Sequence, residues 1–471
     1  MSDNQQTLHV AIVGGGISGL ATAFFISRLA PGSRVGIFEK EDRFGGTMQS
    51  EHRDGFLFEA GPNGFLSNRV ETLDLVRESG AEELLLHSSD AARIRYIFTK
   101  TLQRLPDTPL AFLGTRLLSL RDKLRVLGEV FVPPKKDNDD ESLREFGYRR
   151  LGRAFTDTFL DAMSAGIYAS TPDRLSVNAA FPAVVRLEKE YGGLFKGMLK
   201  KRKKEAGPGG VLMSFRGGVG AFAEHLANIL PVELHSGTSV TGLTRMDFGY
   251  RITTERTGIK TNRAESGAES GAESGAEFQA ESVILATPAY ITAEIMASID
   301  QKIANKLHTI SYSPIAVVGF GFENLTDPLH GFGLLTTTSA EQEILGVLWD
   351  SSIFSGRAPA AKQSLRVLIG GQRNPDLALH DEATLIDTAY EGIEKTMNVH
   401  DTPSIVFVKR WERGIPNYPV GHLANVRGIH ERIKVYPGLS LNSNAYFGIG
   451  INDCVVNSLA CAKRWVGKYG K

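Results

Sequence analysis

Short apolar runs alternate with glycine-bearing turns at both ends of the chain. Val10-Ala11-Ile12-Val13 has the continuous apolar character of a buried parallel strand. Gly14-Gly15-Gly16-Ile17-Ser18-Gly19 follows, Leu20 to Leu29 is helix-compatible, Pro31-Gly32 breaks it, and Val35 to Phe38 forms a second run ending at Glu39. The pattern predicts a βαβ unit. Between residues 310 and 410 the strand-like runs are Ile315 to Phe322, Ile344 to Trp349, Leu365 to Ile369 and Ser404 to Val408. Glu382 to Met397 carries helical periodicity between two of them, which predicts a mixed sheet with a covering helix. Leu439 to Trp465 returns to strand, glycine turn, helix.

Residues 102–168 read as helical with mixed faces. Leu102-Gln103-Arg104-Leu105-Pro106 through Arg125-Val126-Leu127 is leucine-rich and basic, Pro133-Pro134-Lys135-Lys136 breaks the pattern, and the acidic cluster Asp137 to Glu141 opens a further helix. Such a segment is either an ordinary helical lobe or a face that lies on a lipid interface. Lys200-Lys201-Arg202-Lys203-Lys204, before Gly207-Pro208-Gly209-Gly210, is either a solvated helix end or a contact for anionic lipid. The Glu-Ser-Gly-Ala repeat from Glu265 to Glu277 has no apolar side chain larger than alanine and cannot pack. It lies between strand-like Tyr250 to Thr254 and Ser282 to Leu285, and reads as an expanded hairpin loop without function.

Composition narrows the classes. Lys plus Arg and Asp plus Glu both total 53, so the chain has no overall pull on a polyanion and nucleic acid is not expected as its partner. Charged residues make up 23% and hydrophobic ones 42%, an ordinary globular balance that excludes bulk disorder. Cys454 and Cys461 cannot build a disulfide framework or a thiolate metal site, and the histidines are scattered, so no metal is expected. No apolar run approaches a bilayer span and no presequence is visible. The expected location is cytoplasmic, with peripheral attachment to the inner face of the cell membrane as the open alternative.

The glycine motif carries the first chemistry. In Gly14-x-Gly16-x-x-Gly19 the first glycine permits a tight turn, the second lets backbone approach a pyrophosphate, and the third lets helix and strand pack closely. The helix N-terminus, with Gly15, Ile17 and Ser18, offers N–H groups to phosphate. Glu39, twenty residues on and followed by Lys40, suits ribose hydroxyls and repels a 2′-phosphate. Arg43-Phe44-Gly45-Gly46-Thr47 can touch the same pyrophosphate, and Gly61-Pro62-Asn63-Gly64 is a rigid turn that can meet the ribityl or ring end of a flavin.

Together these motifs resemble the flavoprotein superfamily of amine oxidases, phytoene desaturases and protoporphyrinogen oxidases. Within it, Glu59 to Leu66, Gly166-Ile167-Tyr168-Ala169, Ala286-Thr287-Pro288-Ala289, Arg410-Trp411, Ile415-Pro416-x-Tyr418-x-x-Gly421-His422 and Asn444-Ala445-Tyr446-x-Gly448-x-Gly450-x-Asn452-Asp453-Cys454 resemble the oxygen-dependent protoporphyrinogen oxidase family over nearly the whole chain. One departure stands out. Asn442-Ser443-Asn444 carries serine where members usually carry glycine, and serine tolerates a positive φ poorly, so a distorted turn is expected there.

The resemblance implies an α/β fold: a Rossmann-like FAD-binding domain (residues 1–90, 210–290 and 411–471), a mixed-sheet substrate domain (169–209 and 291–410), and a helical membrane-facing lobe (102–168). It implies non-covalent FAD held by the three glycine turns with Glu39, Gly46, Thr47, the Val240 backbone, Trp411, Asn444, and Ile449, Gly450 and Ile451. It implies a porphyrinogen whose propionate pairs with Arg95, unless the register slips to Arg93. The macrocycle would lie among Leu335, Leu345 and Leu368, which could equally be plain core, with a pyrrole N–H facing the Gly166 carbonyl. The reaction implied is a six-electron oxidation to a porphyrin, with molecular oxygen restoring the flavin, hydrogen peroxide released, and no side-chain acid or base. Coproporphyrinogen oxidation, a flavin amine oxidase, and a non-enzymatic FAD scaffold remain as alternatives, and a homodimer remains open.

Overall fold

The computed structural model describes residues 7–204, 210–257 and 275–470, with side chains left out at 201–204. Most of the Glu-Ser-Gly-Ala repeat and the Gly207-Pro208-Gly209 turn lie outside the described residues, as do the side chains of Lys201 to Lys204. The expected βαβ unit forms from Leu8–Val13, the helix Ile17–Leu29 and Val35–Phe38. Both strands are apolar on both faces because helices cover them, as a parallel sheet requires.

These strands start a seven-stranded sheet ordered Glu233–His235, Val35–Phe38, Leu8–Val13, Glu277–Leu285, Tyr250–Arg256, Thr238–Arg245, with Leu439–Leu441 also pairing Glu277–Leu285. The first four strands and Leu439–Leu441 are parallel. Tyr250–Arg256 pairs antiparallel with both Glu277–Leu285 and Thr238–Arg245, so Tyr250–Arg256 and Glu277–Leu285 flank the repeat as hairpin neighbours. On one face, Ile17–Leu29 packs against the C-terminal helix Ile451–Tyr469 around Leu20, Phe24, Val455 and Trp465.

A second seven-stranded sheet is ordered Ile405–Pro416, Tyr312–Phe322, Gln363–Gly370, Ile344–Leu348, Gly333–Thr336, Arg95–Phe98, Leu102–Arg104. The helix Glu382–Met397 covers one face, with Leu385, Ala389 and Ile393 buried on Val318, Val367 and Ile369. Three sequence expectations change here. Leu102–Arg104 is a strand paired with Arg95–Phe98, because the short turn at Lys100 folds it back on the sheet edge. The run at Ser404 to Val408 extends to Pro416, since pairing with Tyr312 to Gly321 outweighs the charges at Lys409, Arg410, Glu412 and Arg413, which are half-buried or exposed. The acidic cluster does not open a helix. Leu143–Arg150 begins after Ser142, whose hydroxyl and Glu145 form a reciprocal cap.

Residues 109–204 otherwise form short helices around Leu118, Val126, Leu143, Phe146 and Tyr168. Inside this lobe Arg150 pairs with fully buried Glu129, which also accepts the N–H groups of Leu194 (2.8 Å) and Phe195 (3.3 Å), so a buried carboxylate caps the basic helix Leu194–Lys204. No helix among the described residues is long and apolar enough to cross a membrane.

His422 is buried flat against Tyr418 with ring centroids 4.1 Å apart, and its Nε2 meets the Tyr446 carbonyl at 3.2 Å. Burial holds its basicity below that of a free histidine, outweighing the Tyr446 contact and the Asp140 carboxylate, which favour protonation. On acidification the unfolded chain therefore binds this proton first, so stability is full above pH ~6.5 and falls below it. Urea midpoints of the parent and His422→Phe between pH 7 and 5 should diverge, the parent losing up to ~1.4 kcal/mol per pH unit more than the variant. Parallel curves would contradict this account.

Candidate active site

The site begins where the first strand ends. Gly14 turns with φ +106°, and a Cβ there would meet the Ala286 carbonyl at 2.9 Å. A Cβ at Gly19 would lie 2.0 Å from the Gly14 carbonyl oxygen. Internal packing explains these two glycines. It does not explain Gly16, where a Cβ would meet nothing nearer than the Gly46 Cα at 3.9 Å. Gly16 and Gly46 face each other because Gly45 donates its N–H to the Gly15 carbonyl. The result is a backbone cradle at the N-terminus of Ile17–Leu29, a helix with no side-chain cap and no acid in its first turn. Donor N–H groups and an open glycine pair fit a dinucleotide phosphate.

Glu39 stands at the end of the second strand. Its Oε2 accepts the Gly15 N–H at 2.7 Å and its Oε1 the Glu41 N–H at 3.0 Å. Thr238 donates its N–H to the Glu39 carbonyl, so the strand with buried Val240 starts beside it. The Lys40 side chain is exposed and lies 3.5 Å from Glu41. Arg43 folds over the second glycine turn, with Nη2 donating to the Gly46 carbonyl at 2.7 Å, and burial lowers its basicity against the pull of Glu39 and Glu41.

The turn Glu59 to Gly64 joins this cradle to the second sheet. A Cβ at Gly61 would lie 2.1 Å from the Thr47 carbonyl oxygen and one at Gly64 2.1 Å from that of Met213, so the turn, with Pro62 at its apex, sits hard against both segments. Arg366 Nη1 donates to the Glu59 carbonyl, its Nη2 reaches Asn63 Oδ1 at 3.0 Å, and its Nε and Nη2 grip Asp350. Glu59 itself pairs with Arg357 at 2.9 Å. The Trp411 indole donates to the Ala60 carbonyl at 2.7 Å. Asn63 Nδ2, by contrast, is buried with no partner. An orphaned amide donor beside an open glycine cradle fits a cofactor with acceptor atoms.

The second sheet presents a continuous apolar face next to this turn. Leu335 pairs with Gly346, Gly346 with Leu368, Leu368 with Val317, and Ile315 with Trp411. Cross-strand partners share a face, so these side chains line up. A bulge between Ile344 and Gly346 makes Leu345 the extra residue, and it buries with Ala165, Ala169 and Ile315, while Ile344 meets Gly392 of the covering helix. Opposite lies the helix Asp161–Tyr168. Its Gly166 is exposed, and a Cβ there would sit 2.8 Å from Leu335. The helix closes with Ala169 and Ser170 bonding the Ala165 and Ser164 carbonyls, leaving the Gly166 carbonyl past its last helical bond. Exposed Arg95 opens the strand Arg95–Phe98, next to the edge strand, on the side of Ile97 and Leu335, stacked 5.0 Å from Phe332. Arg93 lies off the strand on a short turn, beside Asp90.

The C-terminal segment completes the surroundings. Ser443 has no positive φ, contrary to expectation: its hydroxyl accepts the Ala445 N–H at 3.2 Å, and the left-handed turn falls on Gly448. The Asn444 carbonyl accepts the Tyr418 hydroxyl at 2.5 Å. Gly450 is the N-cap of Ile451–Tyr469, Ile449 packs on the helical lobe and Ile451 on the first core. Burial raises the Asp453 carboxyl, although the Gly450 N–H and Arg69 oppose it. The sequence reading missed Asn442, whose Nδ2 ties Thr22 (2.8 Å) to Ser458 (3.0 Å) and so joins the two helices that end at the site. It also missed Arg366, although a charge inside the apolar run Leu365 to Ile369 was a legible signal.

A glycine cradle at a helix N-terminus, joined through a buried arginine to an apolar sheet face, defines an oxidoreductase of the dinucleotide-binding α/β class. The model of the flavin containing amine oxidoreductase family matches residues 17–464, and the chain belongs to that family. It is 27% identical to coproporphyrinogen III oxidase of Bacillus subtilis, over 97% of each chain. It is 28% identical to chloroplastic protoporphyrinogen oxidase 1 of Arabidopsis thaliana, over 95% of this chain and 86% of that one. A crystal structure from Exiguobacterium sp. 255-15, provisionally named a protoporphyrinogen oxidase, superposes with a TM-score of 0.82 at 25% identity, covering 98% of this chain and 99% of the other.

The two glycines of one motif should fail differently. Gly16→Ala should purify folded, with the thermal midpoint of the flavin-free parent, but without yellow colour. Gly19→Ala should lose stability outright, because its Cβ meets a carbonyl rather than open space. Differential scanning fluorimetry with flavin quantitation reads both, and a yellow Gly16→Ala protein would refute the cradle.

Proposed function

We propose that the protein oxidises a porphyrinogen to the corresponding porphyrin, protoporphyrinogen IX first, with non-covalent FAD as the immediate acceptor and molecular oxygen as the final one, releasing hydrogen peroxide. The observation that carries this reading is the apolar face on which half-buried Leu335, Leu368 and Trp411 stand beside exposed Gly166, with Leu345 buried beneath it and the Trp411 indole on the Ala60 carbonyl. Such a face suits a wide planar macrocycle better than a small amine. Bound FAD supplies two-electron redox chemistry that no side chain here provides.

The remaining work falls to the chain. In this reading the discontinuous first sheet forms the cofactor domain. Glu39 binds the ribose, the Gly16–Gly46 cradle the pyrophosphate, and Asn63, Trp411, Asn444 and Gly450 surround the ring. The leucines exclude water and hold the macrocycle in one plane. The Gly166 carbonyl accepts a pyrrole N–H, and the Arg95 guanidinium takes a propionate through two parallel hydrogen bonds. No side chain acts as acid or base. Asp161 is committed to Arg373 and Thr338, and the Tyr168 hydroxyl donates to the Ala180 carbonyl with its own proton held more tightly by burial. Cys454 is buried, and burial pushes its thiol up to about 11, which makes it a poor nucleophile and supports flavin held without a covalent bond.

Coproporphyrinogen III is the second reading, favoured by the end-to-end match to the Bacillus subtilis protein. Porphyrin fluorescence during aerobic turnover of each substrate separates the two. Arg95→Ala should raise KM for the preferred substrate about tenfold with kcat little changed, as loss of a ground-state anchor does. Absence of porphyrin from both substrates would overturn the reading.

The helical lobe supports peripheral lipid docking as part of this function, because the product is poorly soluble. Leu110, Leu120, Leu124, Phe131 and Leu199 are exposed, Leu110 by 80% and Phe131 by 87%, with exposed Arg116, Arg121, Lys196 and Lys200 among them. Lys123 donates to the Leu113 and Thr115 carbonyls, which joins the first two helices of this surface. The protein should float with anionic liposomes and less with neutral ones, and Phe131→Ser with Leu120→Ser should abolish flotation. No association of the parent with either would contradict docking.

A further inference from the structure

The helix that carries Gly166, Asp161–Tyr168, is the last part of an unbroken helical run that starts at Arg153. It follows one π-helical turn, Thr156–Leu160, a feature often found where a functional helix must be re-aimed. Its position is set from outside. At its N-terminal end the Asp161 carboxylate accepts the Thr338 N–H (2.5 Å), the Thr338 hydroxyl (2.8 Å) and Arg373 Nη2 (3.1 Å). Arg373 Nη1 donates to Thr336 Oγ1 at 3.0 Å, and that hydroxyl donates to the Ile344 and Leu345 carbonyls at the bulge. At the other end Gln372 donates its N–H to the Ala169 carbonyl at 2.7 Å. A Cβ at Gly371 would lie 2.3 Å from that same oxygen, so glycine alone permits the approach.

Both ends of the helix are therefore gripped by one short segment, Gly370 to Arg373, which directly follows the strand bearing Leu368. The grip is internal: the Asp161 and Arg373 side chains are 4% and 7% exposed. A pair so buried is a weak source of net stability, but it fixes geometry firmly. Its location gives it something to fix. Asp161 and Gly166 lie on one rigid helix, Thr336 adjoins Leu335, and a Cβ at Gly166 would lie 2.8 Å from the Leu335 methyl carbons, so helix and sheet touch there.

We infer that Asp161 and Arg373 are positioning residues that fix the Gly166 carbonyl beside the apolar substrate face by clamping its helix to the sheet. This rests on that face being the porphyrinogen slot. Neither residue need touch substrate. The clamp fixes where the Gly166 carbonyl stands relative to Leu335 and Leu368.

The test is a double-mutant cycle between the clamp and the Gly166–Leu335 contact. The clamp is removed as Asp161→Asn with Arg373→Gln, so that no lone charge stays buried. The contact is crowded by Gly166→Ala. With the clamp intact, Gly166→Ala should raise KM for the preferred porphyrinogen about tenfold, with kcat nearly unchanged. Without it, KM should already be raised severalfold with flavin content retained, and Gly166→Ala should add less than about twofold, because the helix can retreat. Arg373→Lys keeps the charge but spans only one of the two acceptors, and should fall between parent and double variant, which keeps the test alive if the double variant folds poorly. Additive effects, or a kcat loss at unchanged KM, would overturn the clamp. If the parent turns over no porphyrinogen, the proposed function fails but the same cycle read by thermal unfolding still judges the clamp: Gly166→Ala should lower the midpoint only when the clamp is present.

Discussion

A buried guanidinium holds the two halves of the site in register. Arg366 stands on the same face of its strand as Leu368, wholly out of solvent, and is fixed by both oxygens of Asp350, the Glu59 carbonyl and the Asn63 side chain. Its strand belongs to the second sheet, and the Glu59–Asn63 turn runs straight into the cradle of the first. A rigid planar donor with several fixed acceptors transmits position better than apolar contact, which tolerates sliding. The second arginine, Arg357, pairs with Glu59 at the base of the turn, and the Trp411 indole closes the turn from the strand Ile405–Pro416, two strands away in the same sheet. Desolvating these charges is expensive, and the gain lies in alignment.

The same economy recurs on the far side of the slot. There the Asp161–Arg373 pair sits in a second low-dielectric spot and fixes one helix against one sheet. In both places an arginine on or just after the strand Gln363–Gly370 reaches across to another segment, Arg366 to the Glu59–Asn63 turn and Arg373 to the helix Asp161–Tyr168. That strand therefore controls where the cofactor turn lies on one side and where the Gly166 helix lies on the other. In the proposed reading the apolar side chains between them need only exclude water, which leucines at Leu335, Leu345 and Leu368 can do.

Much of this was legible in the residues. The βαβ unit, the helix Glu382–Met397 and the closing strand-turn-helix follow from apolar runs punctuated by glycine, because local periodicity and burial agree there. What escaped was non-local. Leu102–Arg104 and Arg95–Phe98 are too short to show alternation and become strands only by docking on Gly333–Thr336. Trp411 sits mid-strand among charges that mask the pattern. Ser443 looked like a problem in isolation, and its hydroxyl resolved it by bonding the backbone two residues on. Roles at Arg366, Asn442 and Asp161 depend on partners far away in the chain, which no local pattern encodes.

The central claim is that Arg366 aligns the cradle with the slot, and replacing it by lysine tests this most directly. Arg366→Lys keeps the buried charge for Asp350 but lacks the fork that also reaches Glu59 and Asn63. Flavin affinity, measured by fluorescence titration of the apoprotein, should weaken about tenfold or more while the far-ultraviolet circular dichroism stays that of the parent. A variant that binds flavin as tightly as the parent would contradict the account.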